Sequence, residues 1–151
     1  MPTAGHVAGP FTSVLCPVDF SDHCRLALGL GARLARASGA RLSIVYVNDP
    51  LLAAAAVVTY DEQAMARQTD DELRSFLASA VGADPLSGVH IEVAEGKPAD
   101  QIVSAAERLG ADVIVMSTQG VTGARRLFFG STTEGVLKHA RIPVLVVPPR
   151  S

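Results

Sequence analysis

The chain has no tryptophan, only 5% aromatic residues and only two cysteines among its 151 residues. Because 48% of the residues are nevertheless hydrophobic, the core must consist mainly of Val, Leu, Ile and Ala, which is typical of a parallel sheet buried on both faces. The two cysteines, Cys16 and Cys24, have no Cys-x-x-Cys spacing and form no disulfide framework. We therefore interpret them as reduced thiols of a cytoplasmic protein.

Several kinds of partner are disfavoured as well. The formal net charge is −2 and the basic residues are scattered, so the sequence predicts no surface for nucleic acid. No apolar run approaches the roughly 20 residues of a membrane helix, and the first ten residues do not resemble a secretory signal. The four histidines have no metal-ligand spacing. We expect a soluble protein without a metal, with a flexible tail over residues 1–10 and a single domain over 11–151.

Short apolar runs alternate with segments of helical periodicity, which predicts an α/β fold built on a parallel sheet. Five strands are expected near Ser13–Val18, Arg41–Val47, Val89–Ala94, Asp112–Ser117 and Pro143–Val147, and four helices near Ser21–Ser38, Asp61–Val81, Ala99–Leu109 and Thr132–His139. The Ala-rich segment Leu51–Val58 has no clear assignment and is interpreted as a lid or a partner surface.

The helix ends carry recognisable signals. Ser21 is expected to be the N-cap of the first helix and Gly39 to end it, while Pro98 suits the first turn of the third helix. The sequence Ser131-Thr-Thr-Glu134 matches a capping box at the start of the fourth helix.

Gly120 and Gly130-Ser131, with nine residues between the two glycines, follow the apolar run Ala111–Ser117. A buried strand that leads through a glycine-bearing loop into a helix offers unpaired backbone N–H groups to phosphate. Each part also has a purely structural explanation, since the glycines suit turns, Ser131 suits a cap, and Asp19 can cap the first helix. Sequence motifs of P-loop, dinucleotide-binding, serine hydrolase and zinc protease sites are absent.

The stretch Met116–Ser131 closely resembles the C-terminal signature of the universal stress protein family, G-x2-G-x9-G-[S/T], with Ser117 in place of the first glycine. Val14–Ser21 resembles that family's first strand and its Asp-containing exit, and His139–Pro148 resembles its last helix end and fifth strand. The resemblance implies an open five-stranded parallel sheet of order 3-2-1-4-5 with four helices on both faces, a Rossmann-like fold of the adenine nucleotide alpha hydrolase type. Strand 1 then lies beside strand 4.

The resemblance also implies an adenine nucleotide site, with ATP as the ligand, with or without Mg²⁺. Asp19, the backbone of Pro17 and Val18, and Val47 would contact the adenine. The ribose and phosphates would follow a second set of residues, namely Met116, Ser117, Gly120, Gly130, Ser131 and Thr132. If position 117 needs a left-handed or otherwise glycine-like backbone, a serine there raises the conformational free energy by about 1–2 kcal/mol. Its Cβ also narrows the space for the ribose.

The expected function is that of a stress-response sensor or regulator that acts through a homodimer and a protein partner of unknown identity. No nucleophile–base pair is identifiable, so the chain is not expected to be an enzyme beyond slow ATP hydrolysis. The alternative is a scaffold that binds no nucleotide and works by protein contacts. A flavodoxin or receiver-type domain fits the strand count, but the phosphate cradle after strand 1 and the lysine after strand 5 are missing.

Strand five, Pro143–Val147, is the expected dimer interface because an edge strand leaves unpaired backbone groups. Pro143 has no N–H, which suggests that its backbone, with that of Leu145 and Val147, points away from strand 4. On this interpretation Leu145→Pro yields a folded monomer and Val146→Pro disrupts the pairing with strand 4.

Overall fold

The computed structural model describes residues 9–50, 62–81, 88–118 and 129–149, with the backbone alone for 62–69. Strands and helices alternate along the chain in the order β1 (Ser13–Val18), α1 (Asp22–Ser38), β2 (Arg41–Asn48), α2 (Glu62–Val81), β3 (His90–Glu95), α3 (Pro98–Arg108), β4 (Val113–Ser117), α4 (Ser131–His139) and β5 (Val144–Val147). Each of these bounds lies within one residue of its sequence-based prediction.

The five strands form one parallel sheet in the order β3-β2-β1-β4-β5, which confirms the fold expected from the family resemblance. The central strand β1 pairs with β2, where Cys16 is level with Ile44, and with β4, where Leu15 is level with Ile114. The strands β3 and β5 are the edges. This order places the carboxyl ends of β1 and β4 side by side, although about a hundred residues separate them in sequence.

Each face of the sheet is covered by its own apolar core. On one face, side chains of β1, β2 and β4 pack with residues of α1 and α2, including Leu28 and Leu77. On the other face, alternate residues of the same strands pack with Ile102 of α3 and Val136 of α4. Burial on both faces explains why these strands are almost continuously apolar.

The predicted ends of α1 are confirmed. Ser21 is the N-cap, and its Oγ accepts a hydrogen bond from the N–H of Cys24 at 3.1 Å. Gly39 ends the helix in the left-handed conformation, with φ of 66°, which glycine adopts without strain. Pro98 occupies the first turn of α3, as predicted.

The orientation of the β5 backbone is the reverse of the one predicted. The N–H of Ile114 donates to the carbonyl of Pro143 at 3.0 Å, and the N–H of Thr118 donates to the carbonyl of Val147 at 3.2 Å. Because the N–H and C=O of one strand residue point to the same side, the parity of residues 143, 145 and 147 faces β4. Pro143 is tolerated there because it bonds through its carbonyl alone. The backbone groups of Val144 and Val146 therefore point to the free edge.

Two regions singled out in the sequence are affected by the limits of the described residues. The segment Leu51–Val58 lies outside them entirely, and of the predicted tail only residues 9 and 10 are described. Gly9 donates its N–H to the carbonyl of Ser38 at 3.2 Å. Among the helices that the structure describes, none has the length and apolar character needed to span a membrane.

Candidate functional site

Two groups of residues expected in one site meet at the carboxyl ends of β1, β2 and β4. The predicted adenine contacts Pro17 and Val18 end β1, and Asp19 follows directly. Val47 is the penultimate residue of β2, while Met116 and Ser117 end β4. Since ligands of open α/β sheets bind at the carboxyl ends of the strands, these residues occupy the edge where a ligand site is expected.

Asp19 is held by a tight turn in front of α1. Its Oδ1 accepts hydrogen bonds from the N–H of Ser21 at 3.0 Å and from the Oγ of Ser21 at 2.6 Å. The thiol of Cys24 donates to the carbonyl of Pro17 at 3.5 Å, so the start of α1 is also tied to the end of β1. These contacts fix the position of the carboxylate, in agreement with the structural explanation considered above, and its contact with a nucleotide stays a prediction.

Phe20 has a strained backbone that sequence reasoning missed. Its φ is 65°, and among the described residues no other non-glycine residue has a positive φ. Such a conformation costs a bulky residue about 1–2 kcal/mol and persists only where its surroundings impose it. The ring of Phe20 packs against Tyr46 at 5.0 Å and against the edge of Phe76 at 5.5 Å between centroids. This packing holds the turn that positions Asp19.

Burial and nearby carboxylates shift the pKa values of groups beside this turn. Burial raises the pKa of the Tyr46 hydroxyl, and the carboxylates of Glu72 and Asp19 raise it further. Burial, followed by the charge of Asp19, raises the pKa of the Cys24 thiol to about 12. Burial likewise raises the pKa of the Cys16 thiol far above neutrality. Both cysteines are therefore protonated at neutral pH and are poor nucleophiles.

The start of α4 is joined directly to the end of β4. The N–H of Gly130 donates to the carbonyl of Thr118 at 2.7 Å, and the buried Oγ1 of Thr133 donates to the carbonyl of Ser117 at 2.8 Å. These bonds bring the predicted phosphate contacts Gly130, Ser131 and Thr132 next to the end of β4. The predicted Gly120 lies outside the described residues.

The capping box predicted at Ser131 is wrong. The N-cap of α4 is Gly130, no side chain caps the helix, and Ser131 is its first residue. The reason is that the first helical bond runs from the N–H of Glu134 to the carbonyl of Gly130 at 2.9 Å, so the helix starts one residue earlier than predicted and Ser131 lies within it. The N-cap residue thus supplies no side-chain acceptor to the first N–H groups of α4, and the partial positive charge of a helix start favours an anion.

The condition under which Ser117 would strain the backbone is not met. Ser117 is a regular β4 residue, 8% exposed, and its φ is not positive. A serine therefore adopts this conformation without strain, and only the effect of its Cβ on the ribose side stays a prediction. Gly130, with φ of −62° and ψ of 161°, likewise has a conformation that any residue can adopt.

The structure also contains two concavities outside the β4–α4 junction, and the second of them reaches the Phe20 turn. A cavity of about 340 Å³ is lined by Val103, Ile114 and Ile142, among others, at the amino ends of β4 and β5. An open groove of about 550 Å³ lies between α1 and α2 and includes Phe20 and Phe76. No group of three or more His, Cys, Asp or Glu residues suited to a metal occurs in the described part of the chain.

The comparison with known proteins identifies close relatives across the whole fold. A model of the universal stress protein family matches residues 10–148. A universal stress protein of Thermus aquaticus is 34% identical over 140 residues, which cover 91% of this chain and 98% of the relative. Universal stress protein MJ0531 of Methanocaldococcus jannaschii is 32% identical over 143 residues, which cover 91% and 82%.

Solved structures share the same architecture. Universal stress protein UspA from Lactobacillus plantarum superimposes with a TM-score of 0.67 at 28% identity, covering 90% of this chain and 97% of that protein. A universal stress protein in complex with cAMP has a TM-score of 0.61 at 23% identity, with coverages of 91% and 97%. One from Archaeoglobus fulgidus in complex with dAMP has a TM-score of 0.56 at 24% identity, with coverages of 89% and 95%.

Proposed function

This chain belongs to the universal stress protein family, and from that premise we propose that it binds an adenine nucleotide, ATP in particular, at the carboxyl ends of β1 and β4. The observation that carries the proposal is the junction of β4 with α4. There Thr133 bonds to Ser117, the last residue of the strand, Gly130 bonds to Thr118 directly after it, and the helix begins without a cap from the N-cap side chain.

The two ends of the proposed site suit the two ends of a nucleotide. The Asp19 carboxylate accepts a hydrogen bond from the exocyclic amine of adenine, and because both bonds from Ser21 go to Oδ1, we assign this contact to Oδ2. The backbone of Pro17 and Val18, together with Val47, flanks the base. The phosphates lie at the other end of the site. Near Asp19 and Glu72 they would be repelled by the negative charges of the two carboxylates.

The phosphate end relies on backbone groups. Met116 and Ser117 border the ribose, and the phosphates, with or without Mg²⁺, are surrounded by Gly120, Gly130, Ser131 and Thr132. The N–H groups at the start of α4, which its glycine N-cap does not cap, and the partial positive charge of the helix start favour an anion there. The relatives solved with cAMP and dAMP support an adenine nucleotide as the ligand of this fold.

We assign the protein a regulatory and not an enzymatic role in the stress response, in the cytoplasm. The two thiols are protonated, and the Asp19 carboxylate lies at the adenine end, where it cannot activate water at the γ-phosphate. Any hydrolysis of ATP is therefore slow. The nucleotide acts as a signal that is read through a homodimer and a further protein partner.

Binding is tested by isothermal titration calorimetry and thermal unfolding with ATP and Mg²⁺. A ligand that binds only the folded state stabilises it by about 2.7 kcal/mol at a hundredfold excess over its Kd, and GTP is expected to stabilise less. Gly130→Ala should abolish the effect of ATP, because its Cβ obstructs the phosphate while its φ of −62° leaves the fold intact. Gly29→Ala, in the middle of α1, is the matched control and should bind normally. No binding at millimolar ATP would support the scaffold alternative instead.

The homodimer is expected to form through β5. The backbone groups of Val144 and Val146 point to the free edge, and Leu145 is 39% exposed. Val146→Pro should therefore give a folded monomer, because proline removes an outward N–H and blocks pairing with a second copy. Leu145→Pro should destabilise the fold, because its N–H faces β4. Light scattering with circular dichroism separates the two outcomes, and a Val146→Pro protein that remains dimeric would rule out this interface.

A further inference from the structure

The cavity of about 340 Å³ at the amino ends of β4 and β5 lies at the end of the sheet opposite the proposed nucleotide site. It exists because several of its lining residues are small, namely Ala106, Gly110, Ala111 and Ala140. Their short side chains leave a space that a close-packed interior would fill. The volume falls within the range of about 300–1,000 Å³ that is typical of small-molecule sites.

The apolar part of the lining is aliphatic. Its larger side chains are those of Val103 of α3, Ile114 of β4 and Ile142 before β5, and none of the described residues that line the cavity is aromatic. Ile114 has no exposed surface, so an apolar group placed against it is well shielded from water. A short branched hydrocarbon chain suits such a lining.

Glu107 and Arg141 are the charged residues of this lining. Neither forms an ion pair with any other residue in the described part of the chain. A ligand with a single charge would be attracted by one of the two side chains and repelled by the other. A ligand that carries both charges can pair with both, so the lining favours a zwitterion.

The helix ends assign the two charges of such a ligand. Both α3 and α4 end at the cavity, since Glu107 lies in the last turn of α3 and Ala140 is the C-cap of α4. The partial negative charge of a helix C-terminus attracts a cation and here adds to the charge of Glu107. Arg141 follows the end of α4, and its guanidinium group suits a carboxylate because it can donate two parallel hydrogen bonds.

We propose that this cavity binds a free aliphatic α-amino acid of about the size of leucine. Its ammonium group pairs with Glu107 and its carboxylate with Arg141. Its side chain lies against Ile114 and Ile142. The site is separate from the nucleotide site, so this inference does not depend on the proposed function and is tested without nucleotide.

Titration of the full-length protein, followed by two-dimensional amide NMR spectra, detects weak binding and also locates it. L-Leucine should shift the amide signals of Gly110 and Ile142, with a Kd of about 0.1–1 mM. Isocaproate is leucine without its amino group, and isoamylamine is leucine without its carboxylate. Each should bind at least about fivefold more weakly than leucine, and glycine, which has no side chain, should bind more weakly still.

Two outcomes of these titrations would overturn the proposal. One is the absence of shifts at Gly110 and Ile142 with about 20 mM leucine. The other is an equal affinity for leucine and isocaproate, which would show that the cavity takes an apolar chain without recognising a zwitterion.

Variants of the two charged residues give opposite effects on different ligands, which a purely structural role would not produce. Glu107→Gln should bind leucine about fivefold more weakly but isocaproate more tightly than the wild type does, because the repulsion of the carboxylate is removed. Arg141→Gln should bind leucine about fivefold more weakly and isoamylamine more tightly. Lys138→Gln also removes one positive charge, but outside the cavity lining, and should bind all ligands like the wild type. Wild-type affinity for leucine in both cavity variants would overturn the proposal.

Discussion

A close approach between α1 and the central strand provides a sharp test of the packing. Gly31 in α1 faces Cys16 of β1, and a Cβ placed on Gly31 would lie 2.3 Å from the Cys16 Sγ. Ordinary contacts between such atoms are longer by more than an ångström. Cys16 has no exposed surface, so its sulfur can move only within the packed core. Gly31→Ala therefore requires α1 to move away from β1, or the central strand to distort.

The expected size follows from two opposing terms. Overpacking of a full core costs about 1–3 kcal/mol, whereas alanine in place of a helical glycine contributes up to about 1 kcal/mol of stability. We expect Gly31→Ala to lower the free energy of unfolding by about 1–2 kcal/mol. Gly29 lies in the same helix, where a Cβ meets only the Ala80 carbonyl oxygen at an ordinary 3.6 Å. Gly29→Ala should leave stability unchanged or raise it by about 0.5–1 kcal/mol.

Urea unfolding of the two variants measures the difference, with circular dichroism as the probe. A double-mutant cycle with Cys16→Ala adds a direct check, because removal of the sulfur should recover much of the loss in Gly31→Ala. Equal stabilities of Gly31→Ala and Gly29→Ala, or a cycle without coupling, would refute the proposed close contact between α1 and β1.

Two further predictions concern the Phe20 turn and the entry to β1. Phe20→Gly should be more stable than Phe20→Ala by about 1 kcal/mol, because both variants lose the ring but only alanine retains strain at a φ of 65°. If thermal unfolding showed the alanine variant to be the more stable one, the result would argue against a left-handed turn. Burial tends to raise the pKa of Asp112, but hydrogen bonds from the Thr12 N–H and Oγ1 and from the Ser13 N–H outweigh it and lower the pKa. A lowered pKa in the folded state gives stability that is present above the unfolded value of about 3.9 and is lost as the pH falls through the folded value. The wild type should therefore be more stable than Asp112→Asn at neutral pH. Urea unfolding at a series of pH values should show this difference in stability shrinking below about pH 4, and a difference independent of pH would contradict the assignment.

The sequence by itself determined the secondary structure of this protein and its family. Alternating apolar runs and helix signals such as Ser21 and Gly39 act locally, so they placed each helix and strand that the structure describes to within one residue. The three motifs at Val14–Ser21, Met116–Ser131 and His139–Pro148 identified the family and, through it, the strand order. From that order it followed that the exit of β1 and the end of β4 are neighbours.

Only the tertiary structure decided the features that depend on contacts between distant residues. The start of α4 is attached by hydrogen bonds to Ser117 and Thr118, and no local capping rule includes these bonds. The backbone groups of β5 that face the free edge are those that do not bond to β4, and only the pairing of the two strands decides which these are. The strained Phe20 has no sequence signal, because packing against Tyr46 and Phe76 imposes its conformation. Local preferences are worth about 1 kcal/mol or less per residue, so a few well-placed long-range contacts override them.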